Sequence, residues 1–147
     1  YYMAITTSVI CNSFKKELLE GTHNFSSGSG NSFKLALYTN SATLGKSTTS
    51  FTTDNQVSNT GQYTSGGGAL TNGGTSLSTN TAIIDFADRS FTGVTLTARG
   101  ALIYNDTASG DPAVCVLDFG GDKSASAGTF TIQFPAFTSS AAIIRIT

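Results

Sequence analysis

Short apolar runs, several with apolar side chains at alternate positions, recur along this sequence, and that period of two constrains the fold more than any other feature. Phe33-Lys34-Leu35-Ala36-Leu37-Tyr38 places Phe33, Leu35 and Leu37 on one side. Residues 81–86 hold Ile83 and Ile84, and residues 93–99 set Val94, Leu96 and Ala98 against Thr95, Thr97 and Arg99. Ala101-Leu102-Ile103-Tyr104, then residues 113–119, 129–134 and 141–146, continue the series. Successive side chains of a strand point to opposite faces, so runs like these, rich in β-branched and aromatic residues, are strands. Turn chemistry separates them: a stretch of Asn, Asp, Ser, Gly and Pro at 105–112, then Gly120-Gly121-Asp122, then Pro135. About eight short strands without α/β alternation predict a mainly β fold, an antiparallel β-sandwich or jelly-roll/barrel-like domain.

One segment keeps a different period. Between residues 8 and 21, Ile10, Cys11, Phe14, Leu18 and Leu19 recur at steps of three and four, which predicts a short N-terminal amphipathic helix. Thr7 or Ser8 is placed to cap its start, and Gly21 to end it in a left-handed conformation. Glu17 and Glu20 sit at the end where the macrodipole disfavours them. The helix therefore depends on packing its stripe against a sheet, in its own subunit or on a neighbour.

Composition narrows the function. The 147 residues suffice for one domain with a real core, since 39% are hydrophobic and ten are Phe. Only 12% are charged, whereas Ser and Thr make up about 29%. General acid–base and nucleophilic catalysis need titratable groups gathered in one place, and few are present to gather. The residues point away from an enzyme and toward a body that packs on neighbours. The net charge of −1, with Lys and Arg scattered, argues against nucleic acid as a partner. No apolar run approaches the roughly 20 residues of a membrane span. Tyr1-Tyr2-Met3 runs straight into Thr6-Thr7-Ser8 without a secretory leader, and Met3 reads as a natural start behind two extra tyrosines.

Candidate chemistry is thin. Cys11 and Cys115 are read as core thiols, with a disulfide between them left open. His23 has no recognisable catalytic or metal partners nearby and is read as a surface or capping residue. Cysteine–histidine zinc spacings are absent. Asp118-Phe119-Gly120 matches a kinase magnesium motif by chance, since no kinase glycine loop accompanies it. Asn105, Asp106 and Asp111 on one turn, with Asp118 and Asp122 on another, are the only set of hard oxygens worth weighing for calcium, although all are ordinary turn residues. No pair among the nine acids is favoured for glycoside hydrolysis. Asn24-Phe25-Ser26 and Asn105-Asp106-Thr107 match the glycosylation pattern and carry little weight here. No cofactor is implied.

Residues 39–68 form a long stretch poor in apolar side chains, and a loop of that length in a compact domain tends to be functional. Leu44, Phe51, Val57 and Tyr63 are its only anchors, at a spacing that suits neither helix nor strand. They are the expected interface residues. The segment is expected to be mobile in the free subunit and ordered by a neighbour, so that replacing Phe51 and Val57 by Ser weakens assembly more than it lowers monomer stability.

Several stretches resemble a family of small virion proteins of tailed bacterial viruses. These are Met3-Ala4-Ile5-Thr6-Thr7, Ser13-Phe14-Lys15-Lys16-Glu17-Leu18-Leu19-Glu20-Gly21-Thr22-His23-Asn24-Phe25 and Phe33-Lys34-Leu35-Ala36-Leu37-Tyr38-Thr39. Further along are Gly67-Gly68-Ala69-Leu70-Thr71, Ala98-Arg99-Gly100-Ala101-Leu102-Ile103-Tyr104-Asn105 and Val116-Leu117-Asp118-Phe119-Gly120. Such proteins are similar to capsid decoration, or cement, proteins. The resemblance implies a non-enzymatic homo-oligomer, with a trimer as one arrangement, bound to the major capsid protein on the outer surface of the phage particle. It brings no catalytic or binding residue with it. A tail tube or tip component is the alternative within the virion. A carbohydrate-binding β-sandwich using exposed Tyr and calcium is the alternative of another class.

Overall fold

The computed structural model describes residues 5–147; Tyr1 to Ala4, and the expectations placed on them, lie outside the described residues. The chain folds into two antiparallel sheets and one short helix. In chain order the elements are β1 (Val9–Ile10), α1 (Asn12–Leu19), β2 (Phe33–Tyr38), β3 (Gly68–Ala69), β4 (Asn72–Ser78) and β5 (Thr81–Phe86). They continue with β6 (Arg89–Asn105), β7 (Ala113–Ile132) and β8 (Ile144–Ile146). The larger sheet runs β1-β7-β6-β2-β3 and the smaller one β4-β5-β8. The arrangement is the mainly β, sandwich-like fold that the alternation predicts.

Two breaks in the sequence pattern are not breaks in the sheet. Residues 93–99 and 101–104 belong to one continuous strand, β6, with Gly100 inside it. A Cβ on Gly100 would strike the carbonyl oxygen of Leu117 on the neighbouring strand and the side chain of Ile5. Close backbone approach, not chain reversal, explains the glycine. Gly120-Gly121-Asp122 likewise fails to end β7. Gly100 pairs with Asp118 and Ala98 with Lys123, so residues 119–122 bulge out opposite Arg99 alone. Gly120 takes a left-handed φ of 78°, and its N–H is held 2.9 Å from Asp118 Oδ1. Sequence reading missed β4, because Asn72-Gly73-Gly74-Thr75-Ser76 has no apolar alternation. Its pairing with the apolar β5 makes it a strand.

The helix is shorter than expected and starts later. Val9 and Ile10 pair with Val116 and Cys115 and so join the sheet. The N-cap position falls on Cys11, with no side-chain cap; Ser8 Oγ accepts instead from the Asp118 N–H at 2.8 Å. The expected cap by Thr7 or Ser8 is thus corrected. The other end matches the reading. Gly21 has φ 76°, with Gly21 N–H to Leu18 O and Thr22 N–H to Glu17 O closing a Schellman turn. Of the expected stripe, Phe14 is buried in its own subunit, against His23 and Phe25, while Leu19 stands 91% exposed.

Both faces of the larger sheet are covered. Phe33 lies 5.7 Å from Phe86 of the smaller sheet and stacks on Phe25 at 4.4 Å, so this face makes the sandwich core. On the opposite side Tyr104 stacks on Phe51 at 4.6 Å, and Tyr38 Oη donates to Thr52 O at 2.6 Å. Residues 39–68 are therefore a covering layer. Double coverage is why β2 and the second half of β6 read as nearly continuous apolar runs.

Candidate functional site

The segment 39–68 is pinned from beneath. Leu44 and Val57 are buried, Tyr63 is fully buried, and Phe51 is half-buried on Tyr104. Their spacing matches no regular element because each reaches a different part of the sheet. Tyr63 fills an edge-on position 5.1 Å from Phe91, and its hydroxyl accepts from the Leu37 N–H at 2.8 Å. The same hydroxyl donates to Gln56 Oε1 at 3.0 Å, which also takes the Gly66 N–H at 2.8 Å. Val57 N–H donates to Leu37 O at 2.9 Å. The part of the β2 edge beyond its short pairing with β3 is thereby closed without a regular strand. Tyr104 Oη donates to Gly66 O at 2.6 Å, so three buried phenols tie the layer down. Burial pushes the Tyr63 phenol up to about 12, and raises those of Tyr38 and Tyr104 as well. The segment expected to be ordered by a neighbour has packing within its own subunit. Hydroxyls and aromatic anchors replace the missing apolar face.

What the segment turns outward is hydroxylated. A recess of about 650 Å³ runs between residues 6–9 and 43–52, walled mainly by Thr6, Thr7, Thr43, Thr48, Thr49 and Thr52 with Lys46 beside them.

His23 is a residue that sequence reasoning placed wrongly: it is buried, not at the surface. Its ring sits 4.8 Å from Phe14 and beside the stacked pair of Phe25 and Phe33, at 6.3 and 6.4 Å. Asn105, also buried, orients it. Asn105 Oδ1 accepts from the N–H groups of Thr107 and Ala108, which leaves its amide nitrogen to face His23 Nδ1 at 3.1 Å and Asn31 Oδ1 at 3.0 Å. That nitrogen only donates, so Nδ1 accepts and the proton sits on Nε2. Nε2 points toward Glu17 Oε2 at 3.4 Å, a long contact. Burial pulls the imidazole below its ordinary value, against the opposing pull of Glu17. Through Phe14 and Glu17 on one side and Asn105 on the other, the cluster braces α1 against the end of β6.

The remaining candidates are dispersed. Cys11 and Cys115 are buried and unpaired, and burial pushes their thiols up to about 11 and about 12. Four of the five side chains weighed for calcium have other partners. Asn105 Oδ1 serves the turn just described, Asp106 meets Lys34 at 3.2 Å, Asp118 meets Arg99 at 3.4 Å, and Asp122 accepts from Asn40 at 3.0 Å. Among the described residues no three His, Cys, Asp or Glu side chains gather as a metal site, and no helix is long and apolar enough to cross a membrane.

One surface stands apart in chemistry. A groove of about 480 Å³ runs between the end of α1 and the smaller sheet, with Leu18, Phe25, Ile84, Ile144 and Ile146 among its walls. No Asp, Glu, Lys or Arg lines it.

No protein-family model, curated protein or solved structure matches this chain.

Proposed function

We propose that this protein is a non-enzymatic structural component of a phage particle, a capsid decoration or cement protein that self-associates and binds the major capsid protein on the outside of the shell. The sequence resemblance motivates the reading. The observation that supports it best is the layer 39–68, anchored inward by Tyr63, Val57 and Leu44 and presenting outward a broad threonine-walled recess. A hydroxyl-bearing surface with little charge suits permanent contact with another protein, because its hydrogen bonds are not weakened by salt as exposed ion pairs are. The layer thus faces the shell, while its four apolar residues hold it in shape from within.

Cryo-electron microscopy of purified particles tests this. The expected result is density for the chain in many copies on the outer capsid, with residues 43–52 against the shell. Its presence in a few copies at the tail would replace the reading with a tail component, and its absence from particles would end both.

A further inference from the structure

The hydrogen bonds around His23 are set against its charged form. Its side chain is wholly shielded from solvent by Phe14 and Glu17 of α1, Phe25 of the loop 20–32, Phe33 of β2 and Asn105 at the end of β6. The backbone fixes the polarity of this cluster. The Asn24 N–H donates to Asn31 Oδ1 at 2.8 Å, and the N–H groups of Thr107 and Ala108 donate to Asn105 Oδ1 at 2.9 and 3.1 Å. Backbone N–H groups only donate, so both amide oxygens are committed. The Asn105 amide nitrogen is left to face Asn31 Oδ1 and His23 Nδ1. An imidazolium carries a proton on both nitrogens. A proton on Nδ1 would meet a donor there and find no acceptor. Turning the Asn105 amide over would supply one, but would aim its NH2 at the two N–H groups of the turn and break its bond to Asn31. The same turn holds the end of the loop, since Ser32 N–H donates to Thr107 Oγ1 and Asp106 N–H to Ser32 O, both at 2.8 Å.

We propose that His23 is an acid-operated latch: neutral, it holds residues 12–32 against the sheets, and on taking up a proton it releases them together while the sheets stay folded. The charged neighbours do not cancel this. Glu17 is the only charged side chain whose field reaches the ring, and it favours the imidazolium from the Nε2 side, at 3.4 Å. Glu20, at the start of the loop, is turned to Lys16 at 2.6 Å. Lys34 and Asp106, which follow Phe33 and Asn105 in the chain, are paired with each other at 3.2 Å. Burial outweighs the pull of Glu17, so the neutral ring is the form the closed structure prefers. Release would bare Phe14 and Phe25, both buried when the latch is closed, and open the groove that Leu18, Gly21, His23 and Phe25 help to wall. An apolar surface is thus offered in acid and withdrawn at neutral pH. The inference stands independently of the virion reading.

Hydrogen exchange of the full chain at pH 7.5 and pH 5, read as protection factors, tests it. Protection of residues 12–32 should fall about tenfold between the two, while β2, β6 and β7 keep theirs. His23→Gln retains an acceptor for the Asn105 amide and does not titrate, so its protection should be the same at both pH values. Asn105→Asp sets a carboxylate oxygen opposite Nδ1. The His23 midpoint, followed by NMR, should then rise above the 6.5 of an ordinary histidine, and acid should no longer open the segment. Equal wild-type protection at the two pH values overturns the proposal. So does a loss shared by the sheets, or an acid opening that survives in His23→Gln or in Asn105→Asp.

Discussion

Removing one oxygen atom tests whether the layer 39–68 belongs to the folded subunit. Tyr63→Phe keeps the ring and its contact with Phe91, so little apolar burial changes. What is lost is the acceptor for the Leu37 N–H, 2.8 Å away and buried. An unsatisfied buried donor costs about 1–3 kcal/mol. Gln56 is only partly buried and can turn to water, so it adds little. For a chain of this size the melting temperature should fall by about 3–10 °C. The pH dependence gives a second reading of the same atom. The fold holds the Tyr63 phenol at about 12 against an ordinary 10.0, favouring its neutral form. The stability it contributes is complete below pH 10 and is lost as pH rises from 10 to 12. Two pH units correspond to about 3 kcal/mol. Urea denaturation at pH 8, 10, 11 and 12 should therefore show the variant less stable at pH 8 and the gap closing above pH 10. Tyr38, Tyr104 and the two thiols add alkaline sensitivity to both proteins and cancel in the difference. Equal midpoints at pH 8, together with parallel alkaline slopes, would refute the claim that this hydroxyl closes the edge of β2.

Replacing Phe51 and Val57 by Ser should now destabilise the subunit itself, by about 2–4 kcal/mol, since Val57 is buried and Phe51 stacks on Tyr104; chemical denaturation of the single chain reads this directly. His23 is the only histidine, so its ring protons give an unobstructed NMR titration. Its midpoint should lie below that of an unfolded histidine, and stability should be full above pH 6.5 and fall as pH drops through the folded value. Glu17→Gln should lower that midpoint further. Gly100→Ala should cost about 1–3 kcal/mol in urea, because the methyl group meets the fixed Leu117 carbonyl as well as the Ile5 side chain.

The period of two was enough to read the class of fold, and with it β5 to the residue and the positions of β2 and of the apolar parts of β6 and β7. These elements are legible because alternation is a local property: a side chain two residues away lies on the same face whatever the rest of the chain does. Gly21 was legible for the same reason, since a left-handed helix end depends on that residue alone. The errors all concern positions whose structure is set by a distant partner. Gly100 looked like a break because only the sheet places the Leu117 carbonyl beside it. Val9 and Ile10 had helical spacing, yet the edge of β7 offered them backbone partners. His23 seemed a surface residue because nothing near it in sequence could bury it. Phe33, Asn105 and Glu17, from three other elements, close around it. The segment 39–68 looked too weakly anchored to order itself because its anchors are single residues that reach separate points on the sheet, and the groove was invisible because Leu18, Phe25, Ile84 and Ile144 meet only in space. Sequence alone marked the apolar stretches of β2, β5, β6 and β7 as strands, and left β1 and β4 to their pairing. Which face each residue meets, and what is left uncovered, was decided by tertiary packing, because burial is a property of the assembled layers and not of any one stretch of chain.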